Sequence, residues 1–335
     1  MELNIKKPYA LFLGDASDEL AAKVAFGIFH WRSEQCVGQI RLPDCQPKLP
    51  LIQMDINDAI KSGARTLIIG VANRGGNIPI AWHETLIKAA KSGMDIASGL
   101  HHSLLDVPNL ESISKTSGIL LHDVRKPKMQ FRVADGLPRS GRRLLTVGTD
   151  CSVGKMYTAL AIEAEAKKRN IRADFRATGQ TGILIQGSGV AIDAVVSDFI
   201  SGAVEELCPA AEEDHWDLIE GQGSLFHPSF AGVSLGLLHG AQPTDLVMCH
   251  EPTRQHMRGL SEYSLPSIED CIDENLRAAR LVNSSVRFVG ISINTSLLDD
   301  NKYKELLNKI HHQHSLPTVD PVRDGVKPIV DEMLR

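Results

Sequence analysis

Gly148-Thr149-Asp150-Cys151-Ser152-Val153-Gly154-Lys155 follows the apolar run Leu144 to Val147 and opens a helix-like stretch that runs to Arg169. A strand, a glycine-bounded loop and a Gly-Lys pair at a helix start are what a phosphate cradle requires. Loop and helix N–H groups converge on the anion, Gly154 permits close approach, and Lys155 adds a charge that follows the phosphates. The plainer reading, a turn that merely joins strand to helix, leaves the Gly-Lys pair unexplained. Gly148, Thr149, Asp150, Cys151, Ser152, Val153, Gly154, Lys155 and Met156 are therefore the candidate ligand-binding loop.

The loop departs from GxxxxGK[ST] twice, with Thr149 in place of the first glycine and Met156 in place of the Ser/Thr. The hydroxyl after the lysine normally ligates Mg²⁺, and a thioether is too soft to replace it on that hard cation. Thr158 is no substitute, because a helical residue turns by about 100° and the two positions point roughly 200° apart. ATP-driven phosphoryl transfer is handicapped. A ligand with a pyrophosphate but no phosphoryl group to transfer needs no such metal, and coenzyme A fits; no tightly bound metal is expected. Cys151 has two readings: a thiol activated by the helix N-terminus that could form an acyl-enzyme, or a residue that only fits the turn. Direct attack on a thioester suffices and favours the second.

The surrounding elements read as alternating strands and helices. Tyr9 to Leu13 and Thr66 to Val71 are short apolar runs followed by Gly-containing turns, with a helix expected over about 19–29, the pattern of a parallel α/β sheet. The first turn, Gly14-Asp15-Ala16-Ser17, lacks the GxGxxG spacing that holds a dinucleotide. Asn73-Arg74-Gly75-Gly76-Asn77 and Gly99-Leu100-His101-His102-Ser103 follow further strand ends and could line a pocket; the histidines read more simply as structural. The turn-rich, basic FRVADGLPRSGRR marks a connection, so a Rossmann-like domain is expected over 1–137 and a P-loop NTPase-like, doubly wound domain over 138–335. In the second domain further strands are expected at Ile171 to Ala177, Asp217 to Glu220, Asp245 to Cys249 and Arg287 to Ile293.

Composition narrows the partners. Over 335 residues the net charge of -5 leaves no basic footprint for nucleic acid. No apolar stretch has membrane length. The 6 cysteines are scattered without a CxxC pair, as reduced thiols would be. The expected setting is the cytoplasm, the expected partner a small molecule, and the expected assembly a homo-oligomer.

The loop GTDCSVGKM resembles that of dethiobiotin-synthetase-like P-loop proteins. More of the chain resembles a narrower group. VGTDCSVGKM, RATGQTGILI, DAVVSDFISGAVE, LIEGQGSLFHPSFAGVSLGLLHG and PTDLVMCHEPTR, in that order, are similar to the P-loop family of DgcN, the D-glutamate N-acetyltransferase. The likeness spans nearly the whole chain and is most specific in the C-terminal half. It implies transfer of acetyl from acetyl-CoA, as co-substrate, to the amine of D-glutamate in D-amino acid catabolism.

Amide formation of that kind requires a base for an ammonium, donors for an oxyanion and groups for two carboxylates. Glu220, at a strand end entering Gly221-Gln222-Gly223-Ser224, is the first candidate base; the alternatives are a water-mediated metal ligand or a cap of the turn. His227, before Pro228, is the second candidate, with a structural role equally open. Asp198 follows an apolar run and is read as a buried carboxylate near the site, with helix capping as its competitor. Thr178, Gln180 and Thr181 offer hydroxyls and amides beside the loop, and Gln222 joins them. Arg254 and Arg258 supply guanidinium groups for a dicarboxylate, although one of them could only pair with Glu251. Two other classes stay open: an ATP-dependent ligase or kinase of the dethiobiotin-synthetase kind, and a nucleotide-binding module without chemistry. Met156 argues against the first of these; absence of turnover with any acyl donor would favour the second.

Overall fold

The computed structural model describes residues 5–73, 75–126 and 130–335, which form two compact units, 1–128 with 179–191 and 129–178 with 192–335. Arg74, in the expected glycine turn, lies outside the described residues.

In the N-terminal unit the elements are β1 (Tyr9–Gly14), α1 (Lys23–Arg32), β2 (Cys36–Arg41), α2 (Ile56–Lys61), β3 (Thr66–Ile69), α3 (Ile80–Lys91), β4 (Asp95–Ser98), α4 (Leu110–Ser117) and β5 (Leu121–Asp123). Their sheet has the order β2-β1-β3-β4-β5 with every pair parallel. β1, β3 and β4 are buried throughout, as strands covered on both faces must be, which is why they read as apolar runs. The helix expected from residue 19 begins later because Asp18 accepts the Ala21 N–H at 2.7 Å and closes a turn ahead of it. Where β1 ends, Gly14 has φ +53 and a Cβ there would lie 2.6 Å from Trp82, whose indole donates to Asp15 at 2.8 Å. Side chains thus fill the turn that lacked the dinucleotide spacing. The two turns expected to line a pocket do meet: the His102 N–H donates to Gly76 O at 2.9 Å, and both histidines are exposed in a turn after β4.

The C-terminal unit contains β6 (Arg142–Gly148), α5 (Lys155–Lys168), β7 (Ala173–Arg176), α7 (Ile200–Leu207), β8 (Trp216–Ile219), α8 (Ala231–Ala241), β9 (Asp245–His250), β10 (His256–Met257), β11 (Leu260–Ser264), α9 (Ile268–Ala279), β12 (Arg287–Ile293), α10 (Asp300–His314), β13 (Thr318–Val319) and α11 (Lys327–Met333). Between β7 and α7 the chain forms α6 (Gln180–Gln186), which packs on α1 and belongs to the N-terminal unit. The main sheet, β13-β12-β9-β6-β8-β7, is all parallel, over a core that includes Leu144, Ile162, Leu218, Val247, Val289 and Ile329. β10 and β11 form a separate antiparallel hairpin turned at Gly259, φ +79; strands so short and exposed leave no periodic signal.

The turn-rich segment before Pro138 is anchored on the C-terminal unit. Buried Glu205 accepts the N–H groups of Asp135 and Gly136 at 3.1 and 3.0 Å and pairs with Arg132 at 3.1 Å. Among the described residues no helix is long and apolar enough to cross a membrane.

Candidate active site

The loop after β6 leaves the sheet where the chain order reverses, β7 and β8 lying to one side of β6 and β9 to the other. Ligands of open α/β sheets collect at the carboxyl ends of strands at such a switch point. The turns after β8 and β9 converge on the loop. Lys155 Nζ donates to Asp150 O at 2.7 Å and to Gly223 O at 2.8 Å, Ser224 Oγ donates to Thr149 O at 3.2 Å, and the Thr149 N–H donates to Cys249 O at 3.1 Å. The lysine is 6% exposed, and burial pushes its ammonium below the usual range, against the pull of nearby Cys151, Cys249 and Asp150. Its aliphatic stem lies against Gly221, where a Cβ would fall 2.9 Å from Lys155 Cδ.

Ser152, at φ +54, and Gly154, at φ +104, place left-handed residues within the loop, the backbone alternation from which anion-binding nests are made. The Thr158 hydroxyl is taken up elsewhere, donating to Gly154 O at 3.0 Å and meeting Ser292 Oγ, on β12, at 2.7 Å. The hydroxyl that Met156 lacks is therefore not replaced from Thr158. Arg254 grips the loop's outer side. Its Nη1 donates to Asp150 Oδ2 at 2.9 Å and to Cys151 O at 2.7 Å, its Nη2 to Ser152 O at 2.7 Å, and its Nε pairs with Glu251 Oε2 at 3.0 Å. The expected pairing with Glu251 is thus present, together with bonds to the loop that sequence reasoning missed. The Arg258 N–H also donates to Asp150 Oδ2, at 2.8 Å, and its guanidinium meets Ser152 Oγ.

Glu220 is 5% exposed; Oε2 accepts the Thr178 N–H at 3.0 Å and its carbonyl accepts the Thr178 hydroxyl. Gln222 Nε2 donates to the same hydroxyl at 3.1 Å. Thr178, Glu220 and Gln222 are therefore one hydrogen-bonded group at the ends of β7 and β8. Gln180 and Thr181 are placed with the N-terminal unit, and the Gln180 side chain packs on Gly99 there.

His227 is buried with both ring nitrogens engaged by backbone: Nδ1 accepts the Ser229 N–H and Nε2 faces Arg258 O, each at 3.2 Å. That pattern puts the neutral ring's proton on Nε2. Asp198 corrects an expectation. It is exposed in a 3₁₀ turn before α7, because Val195-Val196 is a surface turn and not a strand leading into the site.

Asp150, Cys151 and His227 each offer a ligand atom within 4.8 Å of the others, a grouping that their spacing in sequence conceals. Arg254 and the Lys155 ammonium border it through Asp150.

His250 lies at the end of β9 with Nδ1 2.9 Å from Thr149 Oγ1, and burial lowers its pKa to about 4. A histidine kept neutral by folding stabilises fully above its unfolded pKa of about 6.5, and this contribution is lost as pH falls towards the folded value. Urea unfolding should show stability declining from pH 6.5 to 4 by at most about 3 kcal/mol from this group. In His250→Asn that share of the slope should vanish; an unchanged slope would remove His250 as its source.

Two family profiles match the chain: a Rossmann-like domain of unknown function, DUF1611_N, over residues 40–127, and a P-loop domain of unknown function, DUF1611_C, over 132–330. A protein of Tritonibacter scottomollicae named D-glutamate N-acetyltransferase is 53% identical over 98% of this chain and 99% of its own. One of Pseudoalteromonas sp with the same name is 52% identical over 98% and 99%. The crystal structure of a DUF1611 family protein from Anabaena variabilis superposes with a TM-score of 0.87 at 32% identity, covering 98% of this chain and 99% of that one. By the matches to both of its domains and by relatives alike over nearly its whole length, the chain belongs to the DUF1611 family.

Proposed function

We propose that this protein is an N-acetyltransferase that moves acetyl from acetyl-CoA to the amino group of D-glutamate. The observation that carries the reading is full-length identity of 53% to a relative of that name. The loop is in keeping with it: a cradle with Met156 after its lysine suits a diphosphate that is held and not cleaved. The loop amides and Lys155 would take the carrier's phosphates, so that binding energy orients the thioester.

Glu220 is the proposed base. It is buried at the mouth of the sheet, and the next residues of its loop wrap the P-loop lysine. The carboxylate accepts a proton from the substrate ammonium, the amine attacks the thioester carbonyl, and the CoA thiolate leaves, taking up the proton that the acylated nitrogen sheds. A cytoplasmic location and a homo-oligomeric assembly complete the proposal; none of the 6 cysteines is joined in a disulfide, in keeping with a reducing compartment.

The test is thiol release from acetyl-CoA with and without D-glutamate, beside calorimetry with Mg-ATP. D-glutamate-dependent release supports the assignment; binding of Mg-ATP alone with no release would move it to ligase or kinase chemistry. In Glu220→Gln, acetyl-CoA affinity should stay near wild type while turnover falls by about 10²–10⁴-fold, the usual worth of a general base. Wild-type turnover in that variant removes Glu220 from the role.

A further inference from the structure

Each peptide unit is planar and trans, so its C=O and N–H point to opposite sides. The carbonyls of three consecutive residues in the loop are each held by a cation. Asp150 O accepts from Lys155 at 2.7 Å, Cys151 O from Arg254 Nη1 at 2.7 Å and Ser152 O from Arg254 Nη2 at 2.7 Å. Arg254 holds the Cys151 and Ser152 carbonyls on its own side, so the N–H groups of Ser152 and Val153 are aimed at the other. That is the face on which a nest receives an anion.

The guanidinium is itself fixed from behind. Glu251 Oε2 holds Nε at 3.0 Å, and Glu251 Oε1 is tied to the Thr253 N–H at 2.8 Å. Asp150, fully buried, takes Nη1 on Oδ2 at 2.9 Å. Ser152, at φ +54, adopts a left-handed backbone that side-chain-bearing residues rarely take, and Arg254 holds its carbonyl.

We infer that Arg254 is a positioning residue that aims the loop amides at the ligand's phosphates, and not a ligand of the amino-acid carboxylates. The inference rests on the P-loop reading under Proposed function. Its chemistry requires a planar fork, since two carbonyls and two carboxylates are bridged at once; a lysine ammonium on a flexible stem cannot span them.

The experiment is calorimetry of acetyl-CoA with Arg254→Lys and Arg254→Ala, together with KM for D-glutamate. Expected is an acetyl-CoA Kd raised by about tenfold or more in the lysine variant, with KM for D-glutamate within about twofold, and partial recovery of affinity in Arg254→Ala on adding guanidinium ion. Should the alanine variant fail to fold, the lysine variant decides. Wild-type acetyl-CoA affinity in Arg254→Lys overturns the assignment, as does a rise in KM for D-glutamate exceeding the change for acetyl-CoA. Lys155→Ala, run in parallel, separates the two readings. If it too binds acetyl-CoA normally, the P-loop reading has failed; if it alone loses binding, only the role of Arg254 falls.

Discussion

Lys155→Ala is expected to abolish measurable acetyl-CoA binding while the melting temperature changes little. The ammonium is buried against two carbonyl oxygens in the ligand-free protein, and burial pushes its pKa down, so folding tolerates this charge more than it relies on it. Its removal leaves Asp150 O and Gly223 O each short of one donor, about 1–3 kcal/mol apiece, which relief from burying the ammonium offsets. A bound diphosphate would lose charge-assisted bonds worth about 1.5–3 kcal/mol each, so two of them amount to at least two orders of magnitude in Kd. Lys155→Arg should not restore binding. A Cβ at Gly148 would already sit 3.3 Å from Lys155 Nζ, and one at Gly221 would sit 2.9 Å from Cδ, so the channel that holds the lysine has no room for a guanidinium. Wild-type affinity in either variant would show that the ligand sits elsewhere.

Gly221→Ala should be the most damaging single methyl in the C-terminal unit. Its backbone is not left-handed, so the glycine is required by space. A Cβ there would run into the Thr146 carbonyl of β6, and Gly221 N–H donates to Thr146 Oγ1 at 3.0 Å. Neither backbone can yield without parting the ends of β6 and β8. A loss of about 3 kcal/mol or more is expected from overpacking, read as a fall in the urea midpoint. The displaced loop should also release Gly223 O from Lys155 and weaken acetyl-CoA binding. Gly232→Ala, on α8 where a Cβ meets nothing within 4 Å, is the control and should be neutral or slightly stabilising. Equal stability of the two variants would refute the close approach of β6 and β8.

How far the sequence was legible follows from the range of the forces involved. Strands buried on both faces are continuous apolar runs, so β1, β3, β6, β9 and β12 could be located within a residue or two. β2, partly exposed and carrying Gln39 and Arg41, could not, because burial within it depends on neighbours distant in sequence. The loop from Gly148 to Lys155 was legible as a P-loop because strand, glycine and lysine act within one short segment. The missing Mg²⁺ hydroxyl was legible too, since helical geometry alone turns Thr158 from the position that Met156 occupies.

The roles of the remaining polar groups were not contained in their neighbourhoods. Arg254 reads as a group for a substrate carboxylate or a partner of Glu251, and only β9 and the loop after it carry the side chain onto Asp150, Cys151 and Ser152. His227 reads equally as a base or as a structural group, and it is folding that engages both of its nitrogens with backbone. Gln180 and Thr181 follow β7 in sequence, yet they pack with the N-terminal unit. The sequence by itself determined which segments become strands and helices and where a phosphate could be held, because both depend on residues a few positions apart. Only the tertiary structure decided which charges hold the loop, because hydrogen bonds form across about 3 Å of space whatever the separation along the chain.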